Sequence, residues 1–79
     1  MPDVLIFPNP SNQTASLRLI NFSKNEIVTV IIFDQLGRKV KLLTGKTDLF
    51  LLGDNWKAGV YFVQVSQGDI IIRKKMIRK

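Results

Sequence analysis

Seventy-nine residues with no cysteine and no histidine exclude disulfides, thiolate nucleophiles, imidazole bases and the zinc or copper sites that need sulfur or imidazole ligands. A hydrophobic fraction of 46% marks a chain that buries a core, but one this short hides only about 60% of its unfolded surface, so a stability of about 5 kcal/mol is expected. The net charge of +6 is lopsided: residues 1–72 hold seven Lys or Arg against six Asp or Glu, and Arg73, Lys74, Lys75, Arg78 and Lys79 supply the excess.

Short apolar runs, broken by Gly, Asn, Pro and Asp about every ten residues, predict strands from one end to the other. The first, 4–7, stops at Pro8-Asn9-Pro10. Two prolines remove two backbone donors and hold Asn9 extended, which confines this segment to a sheet edge. In 15–20, Leu17 and Leu19 alternate with Ser16 and Arg18, the pattern of a strand with one buried face. Residues 22–26 form a polar turn. The β-branched run 27–33 follows, with Val28, Val30 and Ile32 expected inward, and Ile31 and Phe33 outward.

The connection 34–38 is tight: Asp34 can accept from its own backbone two residues on, and Gly37 can take positive φ. Strands are expected at 39–44, with Val40 and Leu42 on one face, and at 47–52. Gly53-Asp54-Asn55 breaks the pattern before 60–66, where Tyr61, Val63 and Val65 share one face and Val60, Phe62 and Gln64 the other. A Gln67-Gly68 hairpin turn leads to a last strand, 69–77. About seven strands and no helical period predict an all-β fold, an immunoglobulin-like antiparallel β-sandwich.

Catalysis finds no support in these residues. The acids are scattered, with Asp34, Asp54 and Asp69 in turns, so no carboxylate pair for glycoside hydrolysis is evident. A triad lacks its histidine, and the five glycines form no phosphate-cradling loop. No calcium-loop spacing occurs, and no catalytic residue, metal ligand or cofactor is expected. No run approaches the roughly 20 apolar residues of a membrane span, and the N-terminal residues lack the pattern of a signal peptide. If exported, the domain is therefore expected to be a fragment of a longer protein.

The basic end suits an acidic or phosphate-bearing partner, or serves simply as a charged end strand that discourages edge pairing. Two other binding classes remain open at this point. An adhesion or carbohydrate-binding module would need an aromatic platform, for which Trp56 with Phe62 is the candidate. A small basic β-barrel gripping single-stranded nucleic acid would need exposed rings interleaved with cations. The rings at 7, 22, 33, 50, 56, 61 and 62 are instead expected mostly as core or core lids, and no nucleic acid is expected as partner.

Four motifs in order carry a more specific resemblance: FPNPSN, FDQLGRKV, WKAGVYFVQV and KKMIRK. From about Phe7 to Lys79 the chain resembles the type A C-terminal sorting domain of the type IX secretion system of Gram-negative bacteria. Pro8, Asn9 and Pro10 resemble the family's opening turn, without the glycine often found shortly after it. Asp34, Leu36, Gly37, Arg38 and Val40 resemble its D-x-x-G-[RK]-x-V hairpin, and Gly59, Tyr61, Val63 and Val65 its G-x-Y-x-[VL]-x-[VL] strand. Trp56 stands where the family has a large apolar residue, and Lys75, Met76 and Ile77 resemble its closing strand.

The resemblance implies that residues 1–79 are a single sorting domain behind an N-terminal cargo, part of a longer secreted protein. It implies passage through the periplasm, delivery to the outer-membrane translocon, and in many members removal by a sortase-like peptidase, leaving the cargo at the cell surface or secreted. For recognition, Lys74, Lys75, Met76, Ile77, Arg78 and Lys79 are the expected contacts. Gly37 and Gly59 are expected to set turns, and Tyr61 to lie in the core with its hydroxyl bonded to backbone.

Overall fold

The computed structural model describes residues 1–8, 14–52 and 56–79; across them every alternating segment becomes a strand and no helix forms. The strands are β1 (Asp3–Phe7), β2 (Ala15–Ile20), β3 (Val28–Asp34), β4 (Lys39–Gly45), β5 (Leu49–Leu52), β6 (Gly59–Gln67) and β7 (Ile70–Arg78). They pair antiparallel in two sheets, ordered β1-β2-β5 and β4-β3-β6-β7. This is the expected all-β, immunoglobulin-like sandwich.

Period-two alternation decides what lies between the sheets. Val4, Ala15, Leu17, Leu19, Phe50 and Leu52 come from the first sheet, and Val28, Val30, Ile32, Tyr61, Val63, Val65 and Met76 from the second. Phe22, Leu43, Trp56 and Ile72 pack around this core partly buried. The inward residues meet in register across the sheets: Leu17 sits opposite Ile6 and Phe50, and Val30 opposite Leu43 and Val65. β1, the strand before the prolines, lies at a sheet edge as expected.

Three local expectations need correction. The turn before β7 is Gly68-Asp69, since Gln67 pairs with Ile70. Gly68 has φ of 57° while Asp69 is not left-handed, the mark of a type II′ turn. Gln67 therefore ends β6, is only 3% exposed, and spends its amide on the 22–26 loop. Its Oε1 accepts from Ser23 N at 2.9 Å, and its Nε2 donates to the carbonyls of Ser23 and Glu26 at 2.7 and 3.1 Å.

Simple alternation also fails in β4. The β3–β4 register shifts between Ile32 and Phe33, whose partners are Lys41 and Lys39, so Val40 is left out of the ladder as a bulge. Leu43 then packs against the core while Val40 and Leu42 stay exposed. Finally, β5 begins at Leu49 rather than 47, because Thr47 and Asp48 turn the chain: Thr47 Oγ1 accepts from Leu49 N, and the Asp48 carbonyl accepts from Leu19 N at 2.8 Å.

Candidate functional site

The D-x-x-G-R segment is a hairpin whose chemistry is entirely local. Gly37 N donates to the Asp34 carbonyl at 3.0 Å and Asp34 N to the Arg38 carbonyl at 2.9 Å. With Gly37 at φ 82°, these bonds make a type I turn closed by a left-handed residue. The Asp34 carboxylate locks the turn, accepting from Leu36 N, Arg38 N and Arg38 Nε at 2.8–2.9 Å. Those bonds, that from the Arg38 backbone foremost, hold the Asp34 carboxyl below its ordinary value of 3.8, against the smaller opposing effect of desolvation.

The W-x-x-G-x-Y segment is a corner. The Tyr61 hydroxyl donates to the Lys57 carbonyl at 2.7 Å, four residues upstream and just before β6. This is the tyrosine-corner arrangement of sandwich folds. Trp56 rests on the Tyr61 ring with centroids 5.1 Å apart. Gly59 between them has φ of 150°, a conformation L side chains rarely adopt, although a Cβ there would meet nothing within 4 Å. The two motifs converge on one end of the sandwich, where Asp34, Leu36, Val40, Trp56, Gly59 and Tyr61 line an open cleft of about 510 Å³.

Trp56 and Phe62 do not form an aromatic platform. Trp56 stacks on Tyr61, whose side chain leaves β6 on the face opposite Phe62. Of the seven rings, Phe22, Phe50, Trp56 and Tyr61 are core or core lids as expected. Phe7, Phe33 and Phe62 lie outside that cluster: Phe7 and Phe62 are exposed and Phe33 is half-buried on the outer face of its sheet.

The basic end is divided by the pleat of β7. Lys74, Met76 and Arg78 stand on the inner side with Ile72, whereas Arg73, Lys75 and Ile77 stand on the outer side with Ile71. Met76 is fully buried opposite Tyr61 and belongs to the core. Lys74 Nζ reaches Asp3 Oδ1 at 3.3 Å, joining β7 to β1 across the edge of the sandwich. The Asp3 carboxyl is held below its ordinary value of 3.8 by Val4 N first and by Lys74 second. One guanidinium nitrogen of Arg78 is buried without a hydrogen-bond partner among the described residues.

Pro8 follows β1 and is exposed, while Asn9, Pro10, Ser11, Asn12 and Gln13, with Gly53-Asp54-Asn55, lie outside the described residues. Val63 and Val65 are core. Sequence reasoning missed the clamp made by Gln67. Its signal is weak: a polar residue on the inward parity of a strand reads equally well as the start of a turn. Among the described residues, no group of three or more acidic side chains could hold a metal ion, and no helix is long and apolar enough to cross a membrane.

The family whose model matches the chain is described as secretion system C-terminal sorting domain, and the match covers residues 5–79. No curated protein matches the chain.

Proposed function

The chain belongs to the family of secretion system C-terminal sorting domains, the sorting signals of the type IX secretion system, and on that premise we propose that its folded sandwich is read through β7 and the basic residues that end it. The domain serves a cargo fused N-terminally to it and handled by the type IX machinery, for export to the cell surface or exterior. Domains of this family are in general not catalytic, and we read this one likewise, as a signal with no catalytic residue or cofactor of its own.

In this reading, residues 1–79 are one C-terminal domain of a longer secreted protein. The precursor crosses the periplasm, and the domain presents the cargo to the outer-membrane translocon. A sortase-like peptidase then separates the two.

One observation carries the assignment to β7. The Asp34–Gly37–Arg38 hairpin and the Gly59–Tyr61 corner are fully accounted for by the turn and the corner they build. The cations at 74, 75 and 78 sit on a strand at the edge of its sheet among the described strands, Lys79 follows it, and none of the four belongs to the buried core. Lys74, Lys75, Arg78 and Lys79 are the proposed contacts, Ile77 lies beside them, and Met76 anchors the strand.

The test is a fusion of the domain behind a fluorescent cargo with an export signal, expressed in a bacterium with a working type IX system. Lys74→Glu, Lys75→Glu and Lys79→Glu together are expected to leave the domain folded, by thermal melting, and to trap the cargo in the periplasm. Secretion at the wild-type level would overturn the assignment.

A further inference from the structure

The outer face of the β4-β3-β6-β7 sheet carries more than β7 alone. Its rows run across all four strands in register. Leu42, Ile31, Gln64 and Arg73 form one row, and Lys39, Phe33, Phe62 and Lys75 the next. Val60 and Ile77 continue the face to the mouth of the cleft described above, which Val60 also lines. Leu42 is 52% exposed and Phe62 43%, and the half-buried Phe33 lies beside Phe62. Arg73 lies across the face, its Nε donating to Gln64 Oε1 at 2.9 Å.

Charge on this face has one sign. Lys39, Arg73 and Lys75 stand on it, and no carboxylate does among the described residues. The outer face of the other sheet is also apolar, with Leu5, Phe7, Leu49 and Leu51, but it mixes Arg18 with Asp3. From this difference, and resting on the sorting-signal reading, we infer that the four-stranded face is a docking surface for a protein of the secretion pathway. The complementary patch on that protein is apolar at its centre and bears carboxylates at two margins.

Lys39 and Lys75 sit three strands apart, so the two acidic margins lie about 14 Å from one another. The same face of a second copy is a poor occupant, because it brings cations to cations. The size of the face agrees. Four strands present roughly 500 Å², below the approximately 800 Å² per partner of a stable complex. That area suits a contact made in transit and then released.

The test compares two exposed leucines on edge strands, one on each sheet, in the same cargo fusion. Neither residue belongs to the basic end. Leu42→Glu is expected to lower secretion at least tenfold with an unchanged melting temperature, and Leu51→Glu to leave it near wild type. A photo-crosslinker at 42 should capture a pathway protein at a segment rich in Asp and Glu, and one at 51 should not.

Equal secretion of the Leu42→Glu and wild-type fusions overturns the inference while leaving the sorting reading intact. Retention of the wild-type fusion overturns the sorting reading itself. Three binding experiments on the purified domain name the competing occupants: self-association by sedimentation, binding to vesicles with about 30% anionic lipid, and salt-dependent binding to a single-stranded oligonucleotide. Any of these abolished by Leu42→Glu would also overturn the inference.

Discussion

Tyr61→Phe removes one hydroxyl from the corner and leaves the Lys57 carbonyl without its donor. The ring itself stays packed between Trp56 and the core, so the cost is that of one part-buried hydrogen bond, about 1 kcal/mol. Urea unfolding should show a lower midpoint at unchanged slope; an unchanged midpoint would mean that water replaces the phenol without loss. Asp34 invites a different experiment. Its folded-state pKa is depressed, so the stability it contributes is present above the ordinary carboxylate value of 3.8 and is lost as pH falls through the lower folded value. Asp34→Asn should therefore melt at a lower temperature than wild type at neutral pH, and the gap should narrow as pH drops below 3.8. A gap independent of pH would show that the carboxylate's hydrogen-bond geometry matters and its charge does not.

At the scale of the element, β7 in the proposed reading serves two purposes, recognition and core packing, and its pleat does not separate them: Lys74 and Arg78 share the inner side with Met76. Deleting 74–79 would remove the contacts proposed for recognition, but also Met76 and five of the nine residue pairs that join β6 to β7. Such a deletion cannot separate a lost message from a lost fold, whereas substitution of the cations can. Met76→Ala isolates the other purpose. Removing a fully buried side chain from a core costs about 2–5 kcal/mol, much of the stability a chain this short is expected to have. Circular dichroism and a thermal melt should find this variant largely unfolded at growth temperature, and a native-like melt would show that the core closes around the gap.

The strands were legible wherever local pattern and burial agree. In β2, and in β6 from Val60 to Ser66, alternating residues separate the buried face from the outer one, and the Asp34–Gly37 turn follows from two residues and their φ preferences. Legibility failed where one extra residue changes parity. The bulge at Val40 hands the core contact to Leu43, and it is set by pairing with β3, which local sequence does not record. Gln67 failed for a related reason: its partners, Ser23 and Glu26, lie more than forty residues away in sequence. The two-sided division of β7 became visible only with the register, since a run of basic and apolar residues at a chain end reads as a single patch until each residue has a face.

For the molecule as a whole, the motifs that mark the family are turns and corners that close a sandwich, and the contacts proposed for a partner lie on the outer strand and outer face of the larger sheet. On the proposed reading, shape and signal are one object. If the fold is the signal, the folded domain alone suffices to export what is attached to it. The measurement that tests it most directly is the fraction of a fluorescent cargo found outside the cell when residues 1–79 are fused behind it in a type IX-competent host, with the Met76→Ala fusion alongside. Export is expected for the folded domain and retention for the unfolded one. Retention of the folded domain, or equal export of both, would contradict it.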